Sequence, residues 1–300
     1  MLKELNGVTI GTKKDNKMTE LIKISEKIYG KAEFTNPTGS IKDRPARYII
    51  ENAEKNGLLK RGDTVIEATS GNMGISIASL CAEKGLHCKI IMPSNMSDER
   101  KKIIQYLGAE LILVDDGDFD GAIEMRDMLT KEKGYFNFNQ FHNQLNIECH
   151  HNTTASEIYT QSYQKNIKIG AIVSGTGTGG TIMGCQKFFS KHLKDVKIVA
   201  VEPSESPVMS GGEPGLHGIQ GIGDGSKFLV DLEKVDEIIL ISTKEAKEKA
   251  KKLHRENGLI VGISAGANIL AAEKWVEENP NSGSVVTFLC DSGFRYLSCL

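Results

Sequence analysis

Lys42 lies in the stretch NPTGSIKDRPA, Asn36 to Ala46, between a Pro/Thr/Gly/Ser loop and a Pro45 that fits near a helix start. An ammonium there meets the positive end of a helix dipole, and Arg44 adds a second positive charge. Both lower a lysine pKa. A lysine that gives up its proton is a nucleophile toward aldehydes. The plainer alternative is a solvated lysine beside a turn, and this stretch alone leaves both open.

Two glycine-rich turns bear on the choice. SGTGTGGTIMGC, residues 174–185, follows the apolar run AIVSG and is expected to open a helix. Its glycines permit close backbone approach, its threonines donate, and a helix start offers free N–H groups, which together suit a phosphate. The loop lacks the Lys-Ser/Thr ending of a Walker motif, which counts against a nucleoside triphosphate. Its GTGTGGTIMG spacing, with Glu202 where a ribose-binding acid would sit, keeps a dinucleotide open on this loop alone.

The second turn is EATSGNMG, Glu67 to Gly74, where Thr69, Ser70 and Asn72 can present hydroxyls, an amide and backbone N–H groups to a carboxylate. The alternative is an ordinary capped helix start with Ser70 or Asn72 as the cap. A dinucleotide has no need of the lysine. A phosphorylated aldehyde needs both a phosphate cradle and an amine, and pyridoxal 5'-phosphate is the common one.

The elements that must position these residues read as α/β. DTVIEA (63–68), HCKIIMP (87–93), AELILVD (109–115), IGAIVSG (169–175), VKIVAVEP (196–203), EIILIS (237–242) and SVVTFLCD (284–291) look like buried strands. Helical patterns intervene at 73–85, 98–108, 119–134 and 243–258, several stopped by glycine. Apolar strands alternating with helices argue for parallel sheets covered on both faces. One sheet is expected around 63–140 and a second around 169–291, with FNFNQFHNQLN (136–146) as a connector. Two doubly wound domains leave a ligand cleft where the strand C-termini meet.

Composition sets the outer limits. The chain has 300 residues, 39% hydrophobic and 25% charged, with a formal net charge of -2. That describes a soluble globular protein with no electrostatic footprint for nucleic acid or a membrane surface. No apolar run approaches the roughly 18 residues of a bilayer span. MLKELNGVTIGTKKDNKM has no signal-peptide core, so a cytoplasmic protein is expected. Cys81, Cys88, Cys149, Cys185, Cys290 and Cys299 lack any CxxC pair and read as free thiols. The neighbours Cys149, His150 and His151 point apart on any regular element, and no metal is expected.

The motifs NPTGSIKDRPA, EATSGNMGISIA, GTGTGGT, GIQGIG, GISAGA and SGFRYLS, in that order across nearly the whole chain, closely resemble the cysteine synthase (O-acetylserine sulfhydrylase) family. These are fold type II pyridoxal-phosphate enzymes. The resemblance implies two α/β domains, 36–145 and 1–35 plus 146–300. It implies that Lys42 carries the Schiff base to the cofactor and that Gly177, Thr178, Gly179, Gly180 and Thr181 surround the phosphate. Asn72 would bond the phenolic oxygen. Ser264 would meet the pyridine nitrogen, with Ser292 a weaker candidate. Thr69, Ser70 and Gln140 would bind the substrate carboxylate.

The implied chemistry is β-replacement. Lys42, displaced by the substrate amine, removes the α-proton, a β-leaving group departs to give α-aminoacrylate, and sulfide or a thiol adds. A neutral serine at the ring nitrogen weakens the electron sink and favours rapid loss of the leaving group. The family makes L-cysteine from O-acetylserine, usually as a homodimer, and closes over its substrate.

Two positions depart from the family pattern. Met73 replaces the threonine of TSGNTG at the substrate turn, and GIQGIGDG puts Asp224 where GIGAG is usual. A carboxylate near the β-carbon disfavours sulfide as nucleophile. It suits instead activation of water or pairing with the ammonium of a second amino acid. The expectation is therefore L-cysteine as donor, with hydrogen sulfide released and lanthionine or serine formed. An ordinary cysteine synthase with Asp224 as a solvated loop residue is the alternative. A catalytically silent regulatory protein ranks below both, and a nicotinamide dehydrogenase last, since it leaves Lys42 unexplained.

Overall fold

The computed structural model describes residues 18–299. The chain opens with β1 (Leu21–Lys23) and β2 (Ile28–Lys31), an antiparallel pair. Helix α1 (Asp43–Lys55), β3 (Thr64–Ala68), α2 (Asn72–Lys84), β4 (His87–Pro93), α3 (Asp98–Tyr106), β5 (Glu110–Val114), α4 (Phe119–Lys133) and β6 (Phe136–Asn137) follow. After α5 (Gln144–His150) and α6 (Ser156–Gln164) come β7 (Ile169–Gly175), α7 (Gly180–His192), β8 (Lys197–Pro203), β9 (Glu237–Ile241), α8 (Thr243–Asn257), α9 (Ile263–Glu278) and β10 (Ser284–Phe288).

These strands form two sheets, in the orders β5-β4-β3-β6 and β1-β2-β10-β7-β8-β9, parallel throughout except for the first hairpin. The alternation of side chains explains why both faces are covered. In the larger sheet Val173, Val199 and Val285 join one apolar cluster with α8 and α9, while their neighbours Ile172, Ile198 and Val286 join another with α6 and α7. In the smaller sheet Val65 and Ile90 pack toward α1, α2 and α3, and Ile66 and Ile91 toward α4.

Helix ends follow local chemistry. Gly85, Gly134 and Gly258 each close a helix in the left-handed region, as the glycine stops predict. Ser242 and Glu245 form a reciprocal capping box on α8.

The expected strands and helices are present to within a residue or two at most ends. The segment 136–146 is more than a connector: it supplies β6, which pairs with β3, and begins α5. Its first two residues extend the sheet, which the asparagine-rich composition conceals. The smaller sheet falls wholly within 36–145 and the larger sheet wholly outside it, and we propose that division as the domain boundary. The leader reading and the first part of the 1–35 segment fall on residues outside those described. Among the described residues no helix is long and apolar enough to cross a membrane. The six cysteines are free thiols, four of them buried.

Candidate active site

Lys42 is the N-cap of α1, reached by a loop that the tail of the larger sheet holds: Ile41 N donates to Cys290 O at 2.8 Å. Asp43 accepts from Thr38 N at 2.7 Å and from the Ser76 hydroxyl at 2.6 Å, so the first turn of α1 is tied both to its own loop and to α2. Burial holds the Lys42 amine below its ordinary pKa, against the opposing pull of Asp224, Cys290 and Asp291. The expected help from Arg44 is absent. Its guanidinium pairs instead with buried Glu33 (2.7 Å) and half-buried Glu157 (2.7 Å), because the two carboxylates offer it planar bidentate acceptors.

The turn after β3 carries Thr69, Ser70, Gly71, Asn72 and Met73. The N-cap of α2 is Gly71, with no side-chain capping bond, so neither Ser70 nor Asn72 serves as the cap. Gly71 has φ +146°, and a Cβ on it would lie 2.2 Å from Arg100 Cδ. Thr69 Oγ1 accepts from Gly71 N at 3.1 Å, which keeps its own proton available as a donor. Met73 lines the cavity while its side chain is fully buried in the apolar cluster under α2.

The glycine loop leaves β7 and enters α7 through Gly179, a left-handed N-cap with no side-chain acceptor. The opening amides of α7 therefore stand at the cavity, with the positive end of the helix dipole behind them. Thr178 Oγ1 accepts from Asn146 Nδ2 (3.1 Å) and Gly180 N (3.3 Å), leaving its hydroxyl proton to donate. Thr181 Oγ1 lies 3.3 Å from His150 Nε2, and His150 Nδ1 lies 2.9 Å from Thr154 Oγ1. Burial pushes the His150 imidazole down to about 3, so the ring behind the loop is neutral. A π-helical turn at His151–Ala155 follows directly, a distortion that often marks a functional site.

The GIQGIGDG loop packs against this cradle. A Cβ on Gly177 would fall 2.5 Å from Gly221 O and 3.4 Å from an Asp224 carboxylate oxygen, so glycine is what lets the two loops meet. Burial raises the Asp224 pKa, while Lys42, then His217 and Arg100, oppose it. Asp224 is half-buried and lines the cavity. Glu202, the rival ribose acid, is consumed by Met209 N (2.9 Å) and Ser210 N (2.9 Å), which removes the dinucleotide reading.

Gln140, after β6, donates its backbone N–H to Glu67 at 2.8 Å and turns its side chain toward Ala68 O. Ser264, in the first turn of α9, lies beside Cys290, whose thiol burial pushes up to about 12. Ser292 caps the Phe294 amide at 3.4 Å and is not among the cavity residues.

The structure thus gathers Lys42, Asn72, Ser264, Asp224, Gln140, the 69–73 turn and the 177–181 loop around one cavity at the C-terminal ends of β3, β7 and β10. Its empty space, open mouth included, is about 780 Å³. Sequence reasoning missed Arg100, Gln220 and Cys290, which line it too. Arg100 is concealed in the charge run DERKK, and no sequence signal separates it from its solvated neighbours. A second cleft, lined by Thr38, Arg44, Arg47 and Glu157, has neither a glycine loop nor an amine of lowered basicity.

A half-buried amine of lowered basicity in the same cavity as a helix-start anion cradle fits a phosphorylated aldehyde: the donors match a phosphate and the amine matches the carbonyl. The fold is that of a fold type II pyridoxal-phosphate enzyme. A family model described as pyridoxal-phosphate dependent enzyme matches residues 14–291, and the chain belongs to that family.

A cysteine synthase of Staphylococcus aureus is 43% identical over 275 residues, 90% of this chain and 87% of that protein. The structure of a cysteine synthase from Entamoeba histolytica superposes with a TM-score of 0.88 at 37% identity, covering 97% of this chain and 93% of that one. A hydrogen sulfide-producing enzyme from Fusobacterium nucleatum superposes with a TM-score of 0.87 at 39% identity, covering 93% and 96%. The protein is a cysteine synthase-like, pyridoxal-phosphate-dependent enzyme.

Proposed function

We propose that the protein performs β-replacement on L-cysteine, releasing hydrogen sulfide and forming lanthionine or serine. The observation that carries this reading is the half-buried carboxylate of Asp224, which lines the cavity beside the glycine loop, with Lys42 as its strongest charged neighbour. Bound pyridoxal phosphate supplies an aldehyde that Lys42 can hold covalently and a conjugated ring that draws electrons from the substrate α-carbon.

The remaining work belongs to the chain's own residues. Thr178, Thr181 and the amides of 177–181 hold the phosphate, and Asn72 donates to the phenolic oxygen. Ser264 meets the ring nitrogen without adding charge. Thr69, Ser70 and Gln140 take the substrate carboxylate, with Met73 as the apolar residue of that turn. Lys42 removes the α-proton as general base, a role that its lowered basicity favours.

Asp224 then decides the second substrate. A carboxylate repels hydrosulfide and attracts an ammonium, and its raised pKa makes it the stronger base toward water. The second reading, an ordinary synthase making L-cysteine from O-acetylserine and sulfide, is favoured by the Staphylococcus aureus relative. A silent regulatory protein is disfavoured by the gathering of the amine, the cradle and the carboxylate site at one cavity. The reading also takes the protein to be a cytoplasmic homodimer, which sizing of the purified protein tests for assembly.

The test incubates holoenzyme with L-cysteine alone and measures sulfide, lanthionine and serine. Sulfide in proportion to either product is expected. Background sulfide together with fast consumption of O-acetylserine and sulfide leaves the ordinary synthase.

A further inference from the structure

The tail motif SGFRYLS has so far no part in the chemistry, yet its neighbourhood reaches Asn72. Asp291, just beyond β10, is 1% exposed and accepts from Asn72 Nδ2 at 2.6 Å and from the Tyr296 hydroxyl at 2.5 Å. Arg295 Nη1 donates to Asn72 Oδ1 at 2.5 Å, and its Nη2 donates to Thr38 O in the loop before Lys42. Tyr296 in turn accepts from Arg100 Nη2 at 3.0 Å.

Donor accounting makes this arrangement directional. A guanidinium only donates and a carboxylate only accepts, so the Asn72 amide has a single orientation, oxygen to Arg295 and nitrogen to Asp291. That nitrogen carries two hydrogens and Asp291 takes one. Asp291 itself is held by packing: a Cβ on Gly262 would fall 2.1 Å from its Oδ1, so only glycine leaves it room. Backbone bridges to Ser40 and from Ser292 to Val261 fix its stretch on both sides.

We propose that Asp291 and Arg295 are positioning residues that lock the flip of the Asn72 amide, so that its second N–H serves the phenolic oxygen of bound pyridoxal phosphate. The proposal rests on the cofactor role given to Asn72 above and adds the groups that enforce it. Removing either partner leaves one directional bond in place of two, so the flipped amide, which turns its oxygen to the phenolic oxygen as an acceptor facing an acceptor, gains population.

The test measures cofactor affinity by titration of apoprotein, the ratio of visible to near-ultraviolet absorption of the holoenzyme, and thermal midpoint. Asn72→Ala should weaken cofactor binding about tenfold and change the ratio. The isosteric Asp291→Asn and the separate Arg295→Gln should reproduce both effects, Arg295→Lys should recover part of them, and Asn72→Ala/Asp291→Asn should be no worse than Asn72→Ala. If Asn72→Ala changes the spectrum but Asp291→Asn and Arg295→Gln only lower the thermal midpoint, the tail is a structural brace and the proposal is overturned. If Asn72→Ala itself leaves affinity and spectrum unchanged, the cofactor role of Asn72 fails, and the proposal with it.

Discussion

Asp224 is the strongest charge acting on the amine of Lys42, and Lys42 is the strongest charge acting on Asp224. Two half-buried groups, one on the loop before α1 and one on the GIQGIGDG loop, thus favour each other's ionised forms across the cavity. Exchanging the carboxylate for an amide keeps the shape and removes both that support and the base. Asp224→Asn is expected to cut sulfide release from L-cysteine by about 10²-fold or more. It should leave consumption of O-acetylserine with sulfide within about tenfold, as a methylene blue sulfide assay and cysteine quantitation would report.

Lys42→Ala removes both the covalent anchor and the proposed base. Turnover with every donor should fall at least about 10³-fold. Borohydride treatment followed by peptide mass mapping should attach the cofactor at position 42 in the parent protein and nowhere in the variant.

His150 stands behind the phosphate loop, neutral, with Thr154 on one ring nitrogen and Thr181 on the other. His150→Phe keeps a ring but loses the contact that orients the Thr181 hydroxyl. The expected result is about tenfold weaker retention of pyridoxal phosphate, the worth of one hydrogen bond, read by equilibrium dialysis. Pyridoxal without its phosphate should bind both proteins alike.

Much of this site is legible in the sequence, because glycine runs and a lone lysine between loop residues have few other uses. Asn72, Thr178 and Ser264 lie in such runs, and a backbone that must approach a ligand advertises itself through glycine. Arg100 does not. It is 1% exposed, yet the helix DERKKIIQY that carries it has the composition of a solvated face. The tail is opaque for a related reason: Asp291 and Arg295 act on Asn72 from 219 and 223 residues away, and no local pattern encodes a contact of that span. Strands β1 and β2 are too short to show a period.

Glu33 gives the fold a pH dependence of definite sign. Burial pushes its carboxyl up, but the Arg44 charge and hydrogen bonds, helped by Lys31 and Thr19, bring it down to about 2 from 4.5. Its contribution is complete above pH 4.5. It fades as pH falls toward 2, where the unfolded chain takes up a proton that the native one refuses. Glu33→Gln leaves Arg44 paired with Glu157 alone and should cost about 1–3 kcal/mol at pH 7, the worth of a lost charge-assisted hydrogen bond. The gap between parent and variant in urea midpoint should narrow steadily as the pH is lowered below 4.5.

Gly71 tests the turn that presents Thr69, Ser70 and Asn72. At φ +146° it occupies backbone space that side chains resist, and a Cβ would strike Arg100 at 2.2 Å. Gly71→Ala should destabilise the protein by about 1–3 kcal/mol in denaturant titration. Substrate KM should rise more than it does for Gly57→Ala, where the glycine also has positive φ (+71°) but no neighbour within 4 Å.

The strand order of the larger sheet puts β10 between β2 and β7, so a segment made late closes a gap between segments made early. During synthesis the smaller sheet, complete by residue 137, can acquire its shape on the ribosome while the larger one waits for residues 284–288. On the proposed site, coenzyme capture must await that strand, because Cys290, Asp291 and Arg295 follow it in the chain. Nascent chains arrested before residue 284 should resist protease across 64–137 and be cut freely in the remainder.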